Sequence, residues 1–201
     1  MNSVCKKAFF AATLAALATA AFSQSTTTSA PAPTINQRKE NQQDRIGNGV
    51  QSGELTAGKT KNLEDKEASI NQEERDMRKL DNGKLTASDR ATLNQQQNQV
   101  SKQIYQDKHN ARVQNTNPTS EVGKRQENQQ DRIAQGIKSG QLTPTEAAHL
   151  ERREGAINKE VKTERAANGG TLTPSERRQV NRQENRTSKA IYRKKHNART
   201  Q

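Results

Sequence analysis

Apolar residues are sparse after position 34, and their spacing carries most of the structural information in the chain. Leu55, Leu63 and Ile70 are followed thirty residues later by Leu85, Leu93 and Val100, and the series returns as Leu142, Leu150, Ile157 and as Leu172, Val180, Thr187. The steps of seven from Leu63 to Ile70, Leu93 to Val100, Leu150 to Ile157 and Val180 to Thr187 bring side chains back to one face of an α-helix. The pattern predicts an all-α chain with helices over 36–50, 57–80, 87–109, 123–137, 144–167 and 174–196, the long ones spanning about 36 Å at 1.5 Å per residue. The apolar stripe is narrow, closer to a coiled-coil seam than to the broad face of a globular helix. Such helices are marginal alone, so packing within a repeat, between repeats or through self-association must supply the rest.

Four copies of one phrase punctuate these helices: SGELTAGK (52–59), NGKLTASD (82–89), SGQLTPTE (139–146) and GGTLTPSE (169–176). Each reads as a glycine turn, a buried leucine and a helix start, with Thr56, Thr86, Thr143 and Thr173 as N-caps. In the last two, Pro144 and Pro174 occupy a position where a missing N–H costs nothing, and Glu146 and Glu176 stand at the third helical position of a capping box.

A longer period lies over the short one. RKENQQDRI (38–46) returns as RQENQQDRI (125–133), and SKQIYQDKHNAR (101–112) as SKAIYRKKHNAR (188–199), an ungapped offset of 87. This is the signature of a tandem duplication of a three-helix unit. It divides the chain into helical repeats over 36–114 and 121–201, joined at 115–120 where NTNPTS marks a linker. Upstream, STTTSAPAPT within 24–35 reads as a flexible linker. Residues 1–23 have the layout of a signal peptide: Lys6 and Lys7, an apolar run from Phe9 to Ala21, and small residues at a cleavage site. The run is too short to span a bilayer comfortably, so the expectation is a periplasmic or secreted protein without a transmembrane segment after processing.

Composition narrows the possible functions. Residues 24–201 contain 22 Leu, Ile and Val among 178, below the roughly 20% at which disorder becomes the default, so a large apolar core is not expected. The sole cysteine, Cys5, lies in the signal segment, which leaves neither disulfide nor thiol nucleophile downstream. No GxSxG elbow, HExxH helix or glycine-rich phosphate loop occurs. The carboxylates read as scattered over wet faces, with no pair that burial would tune into acid and base. The expectation is a protein that is not an enzyme, with no cofactor.

Two resemblances attach to the hinge phrase. It is similar to the second half of an EF-hand loop: with Gly140 at the sixth position, Leu142 falls at the eighth and Glu146 at the twelfth. The oxygen ligands of positions one, three and five would then fall on Gln135, Ile137 and Ser139, and in the last hinge on Arg165, Ala167 and Gly169. A degenerate calcium- or metal-responsive module is therefore one alternative. The strings LTAGK (55–59), LTASD (85–89), LTPTE (142–146) and LTPSE (172–176) also resemble the LTxxQ motif of the Spy and CpxP family of periplasmic stress chaperones, with Lys, Asp or Glu in place of Gln. That resemblance implies an all-helical, cradle-like surface that holds unfolded client proteins without nucleotide.

Charge separates the two copies. Residues 35–120 carry 14 basic and 12 acidic side chains, whereas 121–201 carry 18 and 10. Arg178, Arg182, Arg186, Lys189 and Arg193 recur every three or four residues, opposite Val180, Thr187 and Ile191, whereas the first copy has Ala91, Gln95, Gln99, Lys102 and Gln106. This stripe is the candidate anion-binding site, and an anionic envelope component or an unfolded protein its expected partner. Only Tyr105 and Tyr192 are available as aromatic platforms, which argues against nucleic acid; a basic nucleic-acid or surface-polymer binder stays as an alternative. Tyr105 with His109, and Tyr192 with His196, lie four apart on one helical face, where a histidine in the last turn favours the helix dipole and Asn110 or Asn197 could take a left-handed cap.

Overall fold

The structure is a computed structural model that describes residues 32–200; the expected signal peptide and the linker up to residue 31 lie outside the described residues. Six helices follow one another: α1 (Ile35–Gln51), α2 (Ala57–Leu80), α3 (Ala87–Lys108), α4 (Glu121–Lys138), α5 (Pro144–Ala167) and α6 (Pro174–Lys195). The described residues contain no strand. Every boundary falls within two residues of the position expected from spacing and caps.

The caps explain that agreement. The hydroxyls of Thr56, Thr86, Thr143 and Thr173 each accept the backbone N–H three residues on, from Lys59, Asp89, Glu146 and Glu176. Three of these are reciprocal capping boxes, closed by Asp89, Glu146 and Glu176; at α2 the third position is Lys59, which cannot accept, and the box is absent. Two further caps sit where the sequence reading had linkers. Thr34 and Gln37 form a complete box at the start of α1, and Ser120 caps α4 from the end of the NTNPTS segment.

Pro33–Gln201 form one compact unit, so the two copies, offset by 87 residues, do not hang as separate rods. The most extensive contact joins α2 to α5 and the next joins α1 to α4; α3 flanks the first pair of helices of its own copy, α6 those of the second. The first and second helices of each copy thus meet their counterparts at the centre. One cluster draws on both copies, with Ile46, Leu55, Leu63, Leu93 and Ile104 joined by Ile133, Leu142, Leu150 and Ile191. A second, smaller cluster of Val122, Ile157, Val161, Leu172 and Val180 lies within the second copy.

Segment 109–120 is pinned to the first hinge. The Gln114 N–H donates to the Gly53 carbonyl at 2.7 Å, and the Lys59 ammonium donates to the carbonyls of Glu54 (2.9 Å), Asp107 (2.8 Å) and Arg112. Gly53 has a φ of +74°, and a Cβ there would meet Thr116 Cγ2 at 2.6 Å and the Gln114 carbonyl oxygen at 2.7 Å. Both the turn and the close approach of the segment therefore require glycine.

Candidate anion-binding face

Helix α6 begins at the Thr173 capping box and turns Val180, Glu184, Thr187 and Ile191 into the protein. Its opposite face is left to solvent. Arg178, Arg182, Arg186, Lys189 and Arg193 are all exposed there, and none makes an ion pair or side-chain hydrogen bond among the described residues. Without a counter-ion on the protein, their charge is directed outward.

The structure adds residues from two other helices to three of these. Arg186, Lys189 and Arg193 line a shallow groove of ≈ 650 Å³ together with Arg132 of α4, Arg153 of α5 and the ring of Tyr192, which is 60% exposed. No carboxylate lines it. Arg132 is fixed in place because its guanidinium donates to Ser188 Oγ at 2.8 Å and to the Ser188 carbonyl at 3.3 Å. Five cations from three helices thus surround one aromatic face. Arg178 and Arg182 lie on the same side of α6 but outside the groove. In the first copy the corresponding residues are Arg45, Lys66, Gln99, Lys102, Tyr105 and Gln106, so the same scaffold carries three cations there instead of five. Arg45 makes the matching bonds to Ser101, at 2.5 and 3.0 Å. The stripe alone does not reveal Arg132 and Arg153, which lie on other helices and 25 to 61 residues from it; the shared Arg45 and Arg132 are the available signal.

Both tyrosines stack on the histidine one turn later, with ring centroids 4.1 Å apart for Tyr105 and His109 and 4.2 Å for Tyr192 and His196. In each pair the histidine Nδ1–H donates to the tyrosine carbonyl at 2.7 Å, which closes the helix end. Asn110 and Asn197 do not adopt the left-handed conformation expected of them, since Asn82 is the only non-glycine residue with positive φ among those described. The histidine ring already satisfies the terminal carbonyl, and Asn110 and Asn197 instead accept the N–H of Arg112 and Arg199 through their side chains.

The reading of the carboxylates as wet is corrected by the structure. Glu64, Glu67, Glu74, Glu146, Glu151, Glu154 and Glu184 are buried. Glu74 is paired with Lys39 and Arg78, and Glu146 accepts from Asn197 at 2.7 Å and closes the α5 capping box. The other five have no such cation. The Gln43 amide donates to Glu64 at 3.3 Å, Gln130 to Glu151 at 3.0 Å, and Gln129 to Glu184, while neither oxygen of Glu154 has a partner. Burial pushes all five carboxyls up, Glu67 to about 7 and Glu151 to about 8. Nearby acids add to the effect at Glu64 (Glu67, Glu151) and Glu154 (Glu184, Glu151).

These acids do not gather as ligands, since no group of three or more His, Cys, Asp or Glu side chains among the described residues could hold a metal ion. The hinge positions matched to EF-hand ligands fare no better: Gln135 and Ile137 belong to α4, and Ile137 is buried in the core. No helix among the described residues is long and apolar enough to cross a membrane. No protein-family model, curated protein or solved structure matches the chain.

Proposed function

We propose that the protein is an exported, non-enzymatic binding protein that holds an anionic partner on the cationic side of its second copy. One observation carries this reading: five unpaired or outward-facing cations converge from α4, α5 and α6 on a groove without a carboxylate. Like charges brought this close repel one another, and an anion bound among them removes that repulsion while gaining charge-assisted hydrogen bonds from planar guanidinium groups. Arginine rather than lysine supplies four of the five, which suits bidentate recognition of phosphate, sulfate or carboxylate. The exposed Tyr192 ring and the arginine stems give the groove an apolar floor on which a bulky headgroup or a side chain can rest.

The partner is an anionic envelope component. Unfolded protein with acidic stretches meets the same chemistry, and is the client that the LTxxQ resemblance implies. The test compares wild type with Arg186→Gln plus Arg193→Gln, which restores the glutamines of the first copy. Retention on a sulfated polysaccharide column and on vesicles containing anionic phospholipid is measured at low and moderate salt. Wild type is expected to be retained and released by salt as screening shortens the reach of the charges; the variant elutes earlier with an unchanged helical circular dichroism spectrum. Equal retention of the two proteins would remove the groove as the site.

A further inference from the structure

The five buried glutamates without cations are the second unusual feature of the molecule, and the anion-binding face makes no use of them. Glu64 on α2 and Glu151 on α5 act on each other across the contact between the two copies, and Glu67 and Glu154 stand three residues further along the same two helices. We infer that the α2–α5 contact is a proton-operated latch, closed when these glutamates are neutral and loosened when they ionise.

The hydrogen-bond inventory points to protonation independently of any titration argument. Among the described residues, fourteen buried side-chain oxygens lack a protein hydrogen-bond partner, including one oxygen each of Glu64, Glu67, Glu151 and Glu184, both of Glu154, and the amide oxygens of Gln42, Gln97, Gln129 and Gln130. An ionised carboxylate is acceptor-only and deepens that surplus; a protonated one brings an O–H donor into the middle of it. Unpaired charge at such depth is costly, and a buried carboxyl takes up a proton instead.

The surrounding elements offer little to offset ionisation. From α1, Gln43 donates to Glu64, and Lys39 exerts an opposing pull on Glu67 but is already paired with Glu74. On α3 the counterpart of Glu184 is the buried Gln97, committed through its amide to the Ile35 carbonyl at 3.0 Å. From α4, Gln130 donates to Glu151, and the charge of Arg125 opposes the upward push on Glu184 while its guanidinium donates to Asn181 and Asn185. From α6, Glu184 faces Glu154 and adds a like charge.

In the unfolded chain these glutamates ionise near 4.5, whereas in the fold Glu67 keeps its proton to about 7 and Glu151 to about 8. Between those limits the folded state binds more protons than the unfolded one. Stability is therefore greatest below about pH 4.5 as far as these groups are concerned, and is lost as pH rises towards 8. Each glutamate that stays protonated raises the unfolding constant by about tenfold per pH unit across its window.

The experiment follows urea midpoints of the chain lacking residues 1–23, by circular dichroism from pH 5 to pH 9, for wild type, Glu151→Gln and Glu154→Gln. Glutamine keeps the shape and supplies a neutral amide. Wild type is expected to lose stability steadily up to about pH 8, and each variant to show a shallower slope and a higher midpoint at pH 8. A flat or rising wild-type profile, or variants with the wild-type slope, would overturn the latch. Should a variant fail to fold, wild-type calorimetry in buffers of differing ionisation enthalpy decides alone: unfolding at pH 6.5 must release protons, and no release refutes the proposal.

Discussion

At the scale of single residues, the hinge works by seating a leucine on a glycine. The Leu142 N–H donates to the Gly136 carbonyl at 2.9 Å, and a Cβ on Gly136 would stand 2.6 Å from Leu142 Cγ and Cδ1; Leu55 and Gly49 repeat the arrangement at 2.9 and 2.7 Å. Leu142 is fully buried and has nowhere to retreat. Two effects therefore oppose each other in Gly136→Ala. Helix propensity favours alanine by about 1 kcal/mol, whereas forcing an extra methyl into a packed core costs about 1–3 kcal/mol. The close approach wins, so the variant is expected to have a lower urea midpoint than wild type. In contrast Gly58→Ala, with nothing within 4 Å of the added methyl, is expected to stabilise by up to about 1 kcal/mol. Finding both substitutions stabilising would show that Leu142 has room to move.

Helices are the scale at which the sequence was most legible, because their starts are chemically marked. Thr143 both accepts from the Glu146 N–H and donates to the Glu146 carboxylate at 3.0 Å, and its own N–H donates to the same carboxylate at 3.3 Å. Thr143→Ala removes the hydroxyl and leaves Glu146 buried with one fewer donor, so a loss of about 1–2 kcal/mol is expected, largely restored in Thr143→Ser. Thermal melts of the three proteins check it, and equal melting of wild type and alanine variant would mean that the Thr143 N–H holds Glu146 by itself. The buried glutamates were not legible for a matching reason. Glu64 follows Leu63 and Glu67 precedes Ile70 by three, so they flank the apolar stripe on a helix whose two sides look alike in sequence. What decides that this side is covered is packing against α1 and α5, neither of which is legible from the local pattern of α2. An internal hint existed: the pairs Glu64 and Glu151, Glu67 and Glu154, and Gln43 and Gln130 are identical between copies. By contrast, the paired Lys39 and Glu74 become Gln126 and Val161 together, an ion pair exchanged for neutral packing.

Taken whole, the molecule answers the shortage of apolar residues by sharing them. Few leucines and isoleucines are available, but the hinge leucines Leu55 and Leu142, the midpoints Leu63 and Leu150, and Ile104 with Ile191 all enter one cluster drawn from both copies. The remaining interior is filled by glutamine and glutamic acid, whose stems are apolar and three pairs of whose heads bond to each other, Gln43 to Glu64, Gln129 to Glu184 and Gln130 to Glu151. Because neither copy owns that interior, neither is expected to unfold without the other. Tyr105 and Tyr192 sit at equivalent helix ends in the two halves, and each alone can serve as a reporter once the other is replaced by phenylalanine. Urea transitions followed by fluorescence in Tyr105→Phe and in Tyr192→Phe should coincide with each other and with the loss of helical circular dichroism, as a single cooperative unit requires. The smaller cluster of Val122, Ile157, Val161, Leu172 and Val180 lies wholly in the second copy and gives that half a residual core of its own. If Tyr192 reported a later transition than Tyr105, that cluster would be holding the second half together after the shared interior had opened, and the bundle would have to be described as two coupled domains.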